Sequence, residues 1–339
     1  MTASAPLHWS IDVDQAAWVN ERLSDLMEGT VSSIVPAGFD AYAQILHPVE
    51  TPAHGDALVR WIDVATWGGQ ELTARSRWLA VAMPEYAPPQ PRPWRSQGPA
   101  DGTLYLDDAR ALLEIARDFT DTPRQCWCCI WDGFGWGTRL RYGPLATVAS
   151  SPVPGPIPIE VRESPRVHTP YRDYFLYETS LDTSFTEAMR TLEGHSPNVW
   201  WPADRAWCVG TGIDCDSTFV GGSRAFIDAI LDNGRLEAFE VLSTDRLLLD
   251  LPQWMLGLID RTVDELFATG SADVATSIGE VRFEFTRPRL GRRGCVRYEI
   301  DAGGQRGASG ESPLGSGSSE DMLRELEFRV REGLRNLAS

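Results

Sequence analysis

Apolar side chains spaced three and four positions apart predict a series of helices. Residues 14–27, DQAAWVNERLSDLM, bring Trp18, Leu23, Leu26 and Met27 near one face, with Asp12 or Asp14 as cap and Gly29 past the end. Behind Asp107 or Asp108, the same spacing aligns Ala111, Leu112, Ile115, Ala116 and Phe119. SRAFIDAIL follows Ser223 as N-cap and stops at Asn233-Gly234; LPQWMLGLIDRTVDELFAT and the final SSEDMLRELEFRVREGLRNLA complete the set.

Alternating or continuous apolar runs predict strands: VSSIV, FDAYAQILHPV, CWCCIW, YRDYFLYET, AWCVGTGID, LEAFEVL, EVRFEFTRP and CVRYEID. CWCCIWDGFGWGTRLRYG reads as a hairpin with a Gly-rich turn, and the last two strands pair across the basic turn Arg287–Arg293. Residues 58–67 and 76–83 leave helix and strand open. Proline excludes regular structure from 84–102, and 151–160 reads as an extended connection. Residues 302–319 have the Gly/Ser composition of a flexible linker. The expectation is an α+β protein with mixed or antiparallel sheets and flanking helices. It has an N-terminal unit over 1–150, a second of related size over 151–245, and a small C-terminal α-β-β-α segment over 246–339.

Composition narrows the class. A chain of 339 residues suggests two or three compact units, and a hydrophobic fraction of 42% excludes a wholly disordered one. No apolar run reaches the ~18–20 residues a spanning helix needs. The first residues lack the basic and apolar regions of a secretory signal, so the expected location is cytoplasmic. A net charge of −17 argues against nucleic-acid or anionic-lipid partners. All 31 basic residues are arginine. Codon bias explains this, and so does selection against a reactive amine, because arginine keeps the charge without a nucleophilic nitrogen. The six cysteines fit neither a zinc framework nor a disulfide scaffold; Cys126, Cys128 and Cys129 read as part of a core strand, and the expectation is reduced thiols.

Two strings, GFDAYAQILHPV (38–49) and WWPADRAWCVGTGIDCDSTFVGGS (200–223), with TDTPRQCWCCIWDGFG between them, resemble a family of uncharacterised actinobacterial proteins. The resemblance covers most of residues 30–240 and implies no catalytic residue or ligand. In general character the acidic α+β chain is also similar to immunity proteins of bacterial conflict systems.

Several constellations carry candidate chemistry, each with a structural alternative. Adjacent Trp200 and Trp201 point opposite ways on an extended chain, so one indole is expected to be free for a pocket or partner; Asp204 and Arg205 either join it or lock the loop. Trp131 and Trp136 flank a Gly-rich turn that is either a hydrophobic plug or a binding lip. Asp214 and Asp216, at i and i+2, either ligate a divalent cation or form a side-chain-bonded turn. Gly221-Gly222-Ser223 opens a helix, as an anion cradle or as a tight turn with a Ser cap. His47 is expected to be a hydrogen-bonded strand-end residue, and the arginines 287, 289, 292 and 293 a solvated tip. Nucleotide-loop, serine-hydrolase and zincin signatures are missing. The leading expectation is a non-catalytic, acidic binding or regulatory protein without cofactor that meets a protein partner through exposed Trp. The alternative is a Mg-dependent enzyme on a phosphorylated or nucleotide-like substrate, with Asp214 and Asp216 on the metal.

Overall fold

The computed structural model describes residues 8–25, 28–50, 58–86, 88–94, 98–134, 139–140, 152–153, 157–169, 172–247, 253–286, 294–302, 305–314 and 319–338. The fold is α+β. It divides into one unit built from 1–47 and 100–248 and another built from 48–99 and 249–339. The units interleave in sequence, which replaces the expected consecutive boundaries: strands on both sides of residue 150 share one sheet.

That sheet contains, among the described residues, β1 (His8–Ser10), β2 (Ala41–Leu46), β3 (Cys126–Trp131), β4 (Val167–His168), β5 (Asp173–Thr179), β6 (Val199–Pro202), β7 (Cys208–Gly210), β8 (Ser217–Gly222) and β9 (Ala238–Val241). Their order is β1-β5-β3-β6-β7-β8-β2-β9, with β4 also on β5, and every pairing is antiparallel. The expected hairpin after Trp131 is corrected. β3 pairs with β5 and β6, a short 3₁₀ turn follows at Asp132–Phe134, and Arg139–Leu140 pairs with Pro152–Val153.

Both faces of this sheet are covered. On one, Ala43, Ile45, Cys126, Cys128, Phe175, Tyr177, Trp200, Val209 and Val220 form a core with the helices Leu106–Ala116, Thr183–Thr191 and Arg224–Leu231. The other lies under residues 18–25 and 28–39, where Trp18 meets Trp201 and Phe39 edge-on at 5.8 and 6.3 Å. The first helix is shorter than expected, a 3₁₀ turn at Val13–Ala16 and then Ala17–Arg22; Leu26 and Met27 lie outside the described residues. VSSIV is not a strand. Val31–Ser33 forms a 3₁₀ turn whose first two amides bond the carbonyls of Asp245 and Ser243.

In the second unit, β10 (Ser271–Thr276), β11 (Gly279–Thr286), β12 (Gly294–Ala302) and β13 (Gln305–Leu314) form an antiparallel meander. The linker expected at 302–319 is therefore a strand over Gln305–Leu314, held by backbone pairing to β12, and the expected α-β-β-α segment is α-β-β-β-β-α. Helices Gln253–Thr269 and Ser319–Ala338 pack on Val274, Val281, Phe283, Val296 and Ile300. Residues 58–83 contribute helices Trp61–Gly68 and Trp78–Ala82, joined by Trp61, Trp78 and Trp94, with successive ring centroids 5.4 Å apart.

Candidate functional site

The tandem tryptophans lie on β6, between β3 and β7. Their side chains do point opposite ways, yet each is only 1% exposed, because each finds a covered face. Trp200 packs on Phe185 and Trp207 at 4.6 and 5.2 Å, and Trp201 on Trp18. This corrects the expectation that one indole is free. Trp131, at the end of β3, is half-buried against Phe134, and Trp136 lies outside the described residues, as do Arg287, Arg289, Arg292 and Arg293.

Asp204 and Arg205 are exposed on the loop from β6 to β7. Asp204 Oδ2 accepts from Thr120 Oγ1 and the Asp121 amide, both at 2.7 Å, while its Oδ1 accepts from the Ala206 amide. Its own amide donates to Thr122 Oγ1. Those bonds tie this loop to the segment that leads into β3, so Asp204 acts as a lock. Arg205 adopts φ 59°, a left-handed conformation rare for a residue with a Cβ, and sets its guanidinium 5.5 Å from the Trp18 ring centre.

Asp214 and Asp216 do not share a ligand position. Asp214 Oδ2 accepts from Arg172 Nη2 at 2.9 Å, whereas Asp216 accepts from Ser217 Oγ and its carbonyl takes the His47 amide. Among the described residues, no group of three or more His, Cys, Asp and Glu side chains is arranged to hold a metal ion. Cys215 lies between the two carboxylates, and burial together with their charge pushes its thiol up to about 12.

The diglycine is shaped by packing. A Cβ on Gly221 would stand 2.5 Å from Phe39 Cδ2, and one on Gly222 would stand 2.5 Å from Phe226 Cδ1. Rings fill the space beside each Cα, so packing accounts for both glycines. Ser223 caps the next helix by accepting the Phe226 amide.

The remaining reactive candidates are sealed in the sheet. Burial raises the thiols of Cys128, Cys129 and Cys208, the reverse of what a nucleophile needs. His47 is 1% exposed; Nδ1 meets the Ala100 carbonyl at 2.6 Å and Nε2 meets Thr218 Oγ1 at 2.9 Å. Burial lowers its pKa, against the opposing Ala100 bond and the charges of Asp216 and Asp108.

One functional candidate escaped sequence reasoning. Arg172, just ahead of β5, lines a cleft on the second face of the sheet with Ser24, Ile34, Tyr174, Val199 and Thr211. These residues come from five separated segments, so no local motif announces the cleft. The cleft is small, about 40 Å³.

No protein-family model, curated protein or solved structure matches the chain. Among the described residues, no helix is long and apolar enough to cross a membrane.

Proposed function

We propose that this is a non-catalytic binding or regulatory protein whose partner is another protein. The observation that carries the reading is the employment of the candidate reactive groups. Asp204 locks a loop, Ser223 caps a helix, the diglycine fits two rings, and His47 is hydrogen-bonded at both nitrogens. Each serves the fold. The charged groups of the same stretch, Asp204, Arg205 and Asp214, face solvent, where the excess of acid speeds encounter with a basic partner surface. Free thiols fit a reducing compartment such as the cytoplasm. The aromatic anchors of the sequence expectation reduce, among the described residues named for that role, to the half-buried Trp131.

Thermal unfolding with Mg²⁺ and nucleotides, run beside capture of binding proteins from host extract, tests the reading. The expected result is an unchanged midpoint and a captured protein whose retention falls as salt rises from about 50 to about 300 mM. A midpoint raised by Mg²⁺ plus nucleotide in the parent, but not in Asp214→Asn or Asp216→Asn, would contradict it.

A further inference from the structure

Arg172 and Asp214 are unequal partners. The Arg172 side chain is 16% exposed and that of Asp214 is 78% exposed. The fold holds the cation largely out of water, whereas the carboxylate is held in solvent by a single Nη2–Oδ2 bond of 2.9 Å. A guanidinium prefers a two-pronged grip on a carboxylate, and an exposed one-pronged ion pair adds little stability. Asp214 can therefore leave at small cost.

The surroundings define what would replace it. Leu23, Ile34 and Val199 give the cleft an apolar wall beside Arg172. Tyr174 lies against Arg172, and its phenol is pushed up to about 12 by burial, so it stays a neutral hydroxyl at pH 7. A dianionic phosphate fits less well: one guanidinium would leave a negative charge unanswered near Asp101, Asp214 and Asp216, the carboxylates around Cys215.

We propose that this cleft binds a carboxylate carried on a short apolar stem, with Asp214 as an internal placeholder that the ligand displaces from Arg172. The end of a partner's polypeptide chain and a small free acid share this chemistry. Assigning the cleft to a chain end rests on the protein-binding reading above; the carboxylate site itself does not.

The test is an amide NMR titration of the full chain with propionate, propionamide and inorganic phosphate at matched ionic strength. Two further arms are a short peptide ending in Ala-Val and its C-terminal amide. Propionate is expected to shift the amides of Thr169, Arg172, Val199 and Thr211 to saturation, and propionamide is expected to leave them in place. Arg172→Gln should abolish the response. Asp214→Asn changes an exposed side chain, so the fold is expected to survive; removing the internal competitor should tighten propionate by about two- to fivefold. That opposite sign separates a displaced placeholder from a merely structural ion pair. Equal shifts from propionate and propionamide, phosphate binding as tight as propionate, or unchanged or weaker binding in Asp214→Asn would overturn the proposal. Tighter binding of the free-acid peptide than of propionate identifies a chain end, and equal binding identifies a small acid; both support the site. If propionate binds as expected but no captured protein depends on Arg172, the chain-end assignment fails and the cleft stands. If propionate does not bind while a protein is still captured, the cleft fails and the function stands.

Discussion

Along Ala41–Leu46 and Ser217–Gly222 of the larger sheet every residue is buried, whereas along Gly279–Thr286 burial alternates residue by residue. The larger sheet is covered on both faces, by three helices on one and by residues 18–25 and 28–39 on the other. The four-stranded sheet holds its apolar side chains toward two helices and leaves Asp273, Glu280, Arg282 and Glu284 exposed. Two-sided cover makes an unpaired polar group inside costly, and most find a partner, Tyr177 Oη and Trp18 Nε1 being exceptions. Gln44 therefore donates to Ser217, Asn198 takes the Trp131 amide, and His47, Thr218 and Thr211 form a chain. In the smaller sheet the Asp273–Arg282 pair stands in water, and little depends on it.

If this contrast is right, truncating either tandem indole is the most damaging change. Trp200→Ala and Trp201→Ala should each cost about 3–5 kcal/mol in urea unfolding, because each leaves a cavity in a packed layer. A loss in only one of them would mean that one face is open. Gly221→Ala comes next, at about 1–3 kcal/mol, since the new methyl must displace Phe39 or Tyr42.

His47 gives a smaller, pH-dependent effect. Its folded pKa lies below the unfolded value, so above pH ~6.5 the ring is neutral in both states and contributes no slope. As pH falls from about 6.5 towards the folded pKa, the unfolded chain takes up the proton first, and stability should fall by up to about 1.4 kcal/mol per pH unit. Urea midpoints at pH 7.5, 6.5 and 5.5 check this, with His47→Gln expected to flatten the slope. At the bottom of the scale, Asp273→Asn should leave the midpoint of the parent unchanged.

The same contrast decides what could be read from the sequence. The alternating EVRFEF and VRYEI revealed β11 and β12, because one solvent face imposes a period of two. Ser223 was legible as a cap because its bond to the Phe226 amide spans three residues. The role of Trp200 and Trp201 was not. Adjacent indoles pointing apart are compatible with one open face or with two closed ones, and it is Trp18, brought back across the sheet, that covers Trp201 on the second. Gln305–Leu314 carries the Gly and Ser of a linker, and its strand character comes from backbone pairing to β12. The residues of the Arg172 cleft lie far apart in the chain and are gathered by β5, β6 and the turn at Val31–Ser33. Asp214 was singled out for a metal because its carboxylate is visible in sequence, while the guanidinium that occupies it is 42 positions away.

Fluorine NMR of protein labelled with 5-fluorotryptophan, in the presence of a soluble paramagnetic agent, tests most directly whether the tandem indoles belong to the interior. Trp200→Phe and Trp201→Phe variants assign two of the 13 signals. Both signals should stay sharp as the agent is added, while that of the half-buried Trp131 broadens. Broadening of the Trp200 or Trp201 signal to the extent seen for Trp131 would place an indole at the surface and contradict the two-sided sheet.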